Sequence, residues 1–104
     1  MQLYPLKLVT VVGETVIMDD VAKEGVELGA TGYTLSEVIG HGSRGTRTSI
    51  LTGASKTMKV EFVVPMDVAE KILTHVSHAY FEHYACIAWL SDVQVVRGQA
   101  YVVH

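Results

Sequence analysis

The order of apolar runs constrains this chain most: strand-like, helical, strand-like, then a long polar interruption, then strand-like, helical and strand-like again. Lys7–Val12 is a β-branched run that reads as a strand, and Gly13 ends it. Thr15–Leu28 predicts a helix with Ile17, Val21 and Leu28 on one stripe and Asp19, Asp20, Lys23, Glu24 and Glu27 mostly elsewhere. Gly29 suits a helix C-terminus, and Gly32 a turn. Tyr33–Ile39 reads as a second strand. Met58–Val64 reads as a third, with Met58, Val60, Phe62 and Val64 on one face. Pro65 opens a second helix at the position proline tolerates best, and Asp67 adds a favourable N-terminal charge. Val68, Ile72, Val76, Ala79 and Tyr80 form its apolar stripe, with an expected end near His83. Cys86–Val96 is the fourth strand, with a bend expected near Ser91–Asp92.

Two similar strand–helix–strand halves in 104 residues predict one domain of the α+β class. The expected architecture is the ferredoxin-like βαββαβ sandwich, a four-stranded antiparallel sheet with two helices on one face. The first and fourth strands are nearly continuous apolar runs, so the uncovered sheet face should also be apolar and should associate. Charged residues make up 18%, against about a quarter in an average domain. That shortage agrees with surface hidden in a compact oligomer.

The interruption from Gly40 to Thr57 holds four glycines, several Ser/Thr residues, Arg44 and Arg47, with no period of 2 or 3.6. Loops this long inside compact domains are commonly functional or disordered. Gly40, His41, Gly42, Ser43, Arg44, Gly45 and Arg47 have the chemistry of anion capture. Glycines let successive amides turn toward one point, a guanidinium matches a phosphate with planar paired donors, and Ser43 adds a hydroxyl. No G-K-S/T ending opens a helix, so this is not a Walker A loop. A solvated, flexible loop is the plain alternative.

The net charge of −3 argues against a general nucleic-acid coat. The single cysteine, Cys86, makes no intrachain disulfide, and no run of about 18 apolar residues occurs. Residues 1–8 lack a signal-peptide pattern. A cytoplasmic protein, not embedded in a membrane, is expected. Paired carboxylates with a base, and nucleophile–His–Asp sets, are absent, so no catalytic residue is assigned. His75 and His78 share a helix face and His83 follows, but without CxxC or HExxH they make a poor metal set, and surface or helix packing is the simpler role. Trp89 reads as core or subunit packing.

Three segments, KLVTVV, GYTLSEVIGHGSRGTR and AYFEHYACIAWLSDVQVV, resemble the PII-like signalling superfamily, most closely its SbtB-type and carboxysome-associated branch. GYT followed by GxGSRxxR is the most specific part, and the likeness spans almost the whole chain. The resemblance implies a homotrimer with inward-facing sheets and nucleotide in clefts between subunits. It also implies a T-loop at about 40–57 that changes order on binding and contacts a target protein. The implied ligands are AMP, ADP or cyclic AMP, with bicarbonate as a further ligand. The implied partner is a bicarbonate transporter or a carboxysome-associated protein. By the same resemblance, the backbone of Ala85, Cys86 and Ile87 lies beside the nucleotide, and Arg97 occupies the region where classical relatives place phosphate-binding basic residues. The sequence also departs from the relatives. No tyrosine lies between Gly40 and Thr57, so uridylylation there is not expected. The glycine-rich, lysine-bearing B-loop is missing, which weakens the case for triphosphate, and Cys86 stands where many relatives have glycine. No cysteine follows Cys86, so thiol control through a tail is not expected. The competing readings are a CutA-type divalent-metal trimer and a slow nucleotide hydrolase.

Overall fold

The nearly continuous apolar run of the first strand and the apolar alternation of the third suit the two central places in a sheet. The computed structural model describes residues 1–38 and 57–97. Strands β1 (Tyr4–Glu14), β2 (Thr34–Val38), β3 (Thr57–Val64) and β4 (Cys86–Val95) form one sheet, with helices α1 (Thr15–Glu27) and α2 (Met66–Tyr80) between them. The sheet order is β2-β3-β1-β4 and every neighbouring pair is antiparallel. This is the split βαβ arrangement of the ferredoxin-like fold. β1 is central and longer than its β-branched run suggests, because β3 and β4 satisfy its backbone on both sides.

Register assigns the faces. Val9 lies opposite both Phe62 and Leu90, and Val11 opposite both Val60 and Ala88. Val9, Val11, Val60 and Phe62 meet Ile17, Met18 and Val21 of α1 and Val68, Ile72 and Val76 of α2 in one buried core. Gly25 of α1 rests directly on Phe62, and a Cβ there would collide with the ring. α1 ends as expected at Gly29, whose φ is +127°. The Ala30 N–H donates to the Gly25 carbonyl and the Gly29 N–H to the Val26 carbonyl, a Schellman closure that satisfies otherwise orphaned carbonyls.

Several expectations need correction. Pro65 is the residue before α2 rather than its first turn, with its carbonyl accepting the Ala69 N–H. α2 stops at Tyr80, short of His83, where the Tyr84 N–H turns back to the Tyr80 carbonyl. Ala79 is exposed. Thr57 belongs to β3, not to the preceding loop. β4 pairs with β1 without interruption through Ser91 and Asp92, and Asp92 forms an ion pair with Lys7 across the ladder.

The uncovered face is more apolar on one side than on the other. Its β1–β4 half carries Leu8, Val12, Ile87, Trp89 and Val93, with Ile87 58% and Trp89 44% exposed. Its β2–β3 half carries Thr34, Ser36, Lys59 and Glu61, with Val38 at one end and Val63 at the other.

Candidate functional site

One end of the sheet gathers the parts singled out from sequence. Val38 pairs with Thr57, Thr57 with Glu14, and the neighbouring Gly13 with Cys86. Both borders of segment 39–56 therefore share this end with Ala85–Ile87. Two strand spacings separate the Thr57 and Cys86 backbones, about 10 Å. Gly13 permits the close approach of β4: a Cβ there would come within 3.3 Å of the Ala85 carbonyl oxygen and 3.4 Å of the Cys86 Sγ. Glu14 locks the junction. Its N–H donates to the Ala85 carbonyl at 3.2 Å, and its carboxylate accepts the Ala85 N–H at 2.6 Å. Burial, and secondarily the Glu14 charge, push the Cys86 thiol up to about 11 from an ordinary 9.0. Burial and that charge thus favour the protonated thiol near neutrality, which makes it a poor nucleophile.

Gly40, His41, Gly42, Ser43, Arg44 and Arg47 lie outside the described residues, as does Gly98 beside Arg97. Arg97 is exposed just beyond β4. Ala85–Ile87 stand at the other end of that strand, about 30 Å away along the ladder. Within one chain the two are not brought together.

A second feature was not assigned from sequence. Leu8, Thr31, Gly32, Tyr33, Thr34, Glu61 and Val63 line a shallow cavity of about 370 Å³ on the uncovered face. Gly32, Tyr33 and Thr34 are the GYT element noted above, and that was the available signal. Leu8, Glu61 and Val63 come from strands whose register brings them to the cavity, which spacing does not reveal. The cavity is more polar than apolar: threonine hydroxyls and one carboxylate stand beside Leu8, Val63 and Tyr33, with no lysine or arginine among its described lining residues. The threonine hydroxyls and the Glu61 carboxylate offer acceptors to a hydrogen-bond donor, with the Lys59 ammonium 3.9 Å from Glu61. Thr34 and Val38 are four strand residues apart, roughly 13 Å.

His75 has a structural partner. Its Nε2 lies 2.6 Å from Glu24 Oε1, and the Tyr80 hydroxyl donates to the same oxygen at 2.7 Å, so one carboxylate ties α2 to α1. Burial first, then the bond to Glu24, raise the Tyr80 pKa further above its already high ordinary value. Among the described residues no group of three or more His, Cys, Asp or Glu could hold a metal ion. No helix among them is long and apolar enough to cross a membrane.

The sheet order and the two helices define a ferredoxin-like α+β protein. The family model described as nitrogen regulatory protein P-II matches residues 6–100, and the chain belongs to that family. A Thermus thermophilus protein assigned to PII-like signaling is 40% identical, with a TM-score of 0.81 over 98% of this chain and 100% of its own. CPII from Thiomonas intermedia, solved with ADP, AMP and acetate, is 22% identical, with a TM-score of 0.79 over 97% of this chain and 98% of its own. The same protein with ADP and bicarbonate gives 0.78 at 23% identity, over 94% and 95%. At that identity the likeness to CPII concerns the fold.

Proposed function

We propose that this protein is an adenine-nucleotide sensor that works as a homotrimer, without catalysing a reaction on its ligand. The observation that carries the reading is the separation of complementary chemistries on one sheet. The GYT cavity has the polarity of a nucleoside site, with Glu61 placed to accept from an amino or hydroxyl group. The far end of the sheet borders the segment bearing Arg44 and Arg47, which have the chemistry for phosphate. A nucleotide needs both. Association through the apolar β1–β4 half of the uncovered face would bring the nucleoside cavity of one subunit to the sheet end of the next. Arg97, remote from Ala85–Ile87 in its own chain, would likewise serve a neighbour's site. Gly40, His41, Gly42 and Ser43 would supply amides and a hydroxyl around the phosphate, while the backbone of Ala85, Cys86 and Ile87 forms the wall.

On this reading the segment before Thr57, from residue 40, acts as the T-loop, reporting ligand to a partner protein. The solved complexes of CPII with ADP, AMP and bicarbonate support adenylates and bicarbonate as the ligand classes. The resemblance to the SbtB-type branch extends the proposal to inorganic-carbon metabolism, with a bicarbonate transporter or carboxysome-associated protein as target. Coupling between ligand and partner must be reciprocal, so if nucleotide tightens partner binding, the partner tightens nucleotide binding by the same factor.

A thermal-shift panel with AMP, ADP, ATP and cyclic AMP, with and without bicarbonate, is the direct test, because binding to the folded form raises its melting temperature. At least one adenylate should raise it. Arg47→Ala should then weaken binding by about 10- to 100-fold, the range for a hydrogen bond to a charged group. No shift with any of the four would end the nucleotide reading.

A further inference from the structure

We infer that the Glu24–His75–Tyr80 contact is a proton-operated tie between the two helices, tighter when His75 is charged than when it is neutral. It is independent of the nucleotide reading. Glu24 Oε1 lies 2.6 Å from His75 Nε2 and accepts the Tyr80 hydroxyl at 2.7 Å. An ionised carboxylate oxygen only accepts, so Nε2 carries a hydrogen in both charge states of the ring. The second proton adds at Nδ1. Charging the ring therefore breaks no contact and moves none. The same bond changes from neutral to charge-assisted, a kind about twice as strong. Tyr80 holds the acceptor in place from its other side, and its ring stands edge-on to the imidazole with centroids 6.2 Å apart.

The side chains of His75 and Glu24 are 37% and 29% exposed. That leaves the ring open to protons from solvent while the pair is screened less than a fully exposed one. The groups around it leave this exchange as the main electrostatic event. From α1, Asp20 joins Glu24 on the Tyr80 side, and the exposed Lys23 and Glu27 flank Glu24. On α2 itself, exposed Lys71 and His78 lie about one turn to either side of His75. Beyond the helix end, Tyr84 stands edge-on to Tyr80 at 6.0 Å. Beneath α2, strands β1 and β4 present Val9, Val11, Ala88 and the Cys86 thiol. Their charged residues are engaged elsewhere, Lys7 with Asp92 and Glu14 with the Ala85 N–H.

Urea unfolding of the wild type, Glu24→Gln, His75→Gln and the double variant, at pH 5.5 and pH 8, tests this. These values bracket the ordinary histidine range and stay above that of carboxylates. Glutamine at position 75 keeps an N–H donor that cannot charge. The quantity read is the interaction between the two positions, so the titration of every other group cancels. That interaction should contribute about threefold more to the folding equilibrium constant at pH 5.5 than at pH 8, the scale of a partly exposed ion pair. An interaction equal at the two pH values, or larger at pH 8, would reduce the contact to a plain hydrogen bond and overturn the inference. If either Glu24 variant does not fold, the wild type against His75→Gln decides. The wild type's advantage should then grow on acidification, and a constant or shrinking advantage overturns the inference.

Discussion

Cys86 shows how one side chain's setting decides its chemistry. A lone cysteine at the start of a strand leaves a redox or nucleophilic role open as well as that of a small hydrophobe, and its sequence neighbourhood does not choose between them. The fold places it against Gly13 and near the Glu14 carboxylate, and both burial and that charge disfavour the thiolate. At pH 8 the folded protein should react with iodoacetamide about 100-fold more slowly than the urea-unfolded chain, since only thiolate reacts. The sign of the linked stability follows. A thiol whose folded pKa is raised contributes stability that is complete below pH 9 and is lost as pH rises through about 11. Equal alkylation rates in folded and unfolded protein would contradict this setting.

At the scale of elements, the helix ends and the inter-helix tie differ in how readable they were. Gly29 was legible because only glycine takes a backbone with φ of +127° without strain, and its place after an amphipathic stripe announced it. Gly29→Ala should lower stability by about 2 kcal/mol through backbone strain. The new methyl would also stand 3.0 Å from Val68 Cγ2. Urea unfolding measures the loss, and an unchanged midpoint would mean that α1 ends by another device. The Glu24–His75–Tyr80 contact was not legible. His75 and His78 have a spacing compatible with a shared ligand, and their spacing says nothing of a carboxylate 51 residues from His75. Two helices packed side by side on the sheet bring that carboxylate into reach.

For the whole molecule, the decisive surface is the uncovered sheet face. The expectation of an apolar face holds for its β1–β4 half, whereas Lys59 and Glu61 interrupt the other half and form a long ion pair of 3.9 Å. Trp89 lies on that apolar half, so Trp89→Asp should convert the assembly to single chains, with nucleotide affinity falling in parallel. Light scattering coupled to size exclusion measures this: the wild type should weigh three times the chain mass. A monomeric wild type that still binds nucleotide would refute the shared-site reading.

Hydrophobic periodicity and glycine placement alone determined the order of elements, most residues of the core and the end of α1, because each depends on neighbours within a few positions along the chain. Strand pairing decided the rest. Only register could place Gly13 against Cys86, aim the Glu14 carboxylate at the Ala85 amide, gather Leu8, Glu61 and Val63 around the GYT turn, and carry Arg97 to the opposite end from Ala85. Such contacts join residues far apart in the chain, and local sequence holds no record of which distant backbone completes a strand's hydrogen bonds.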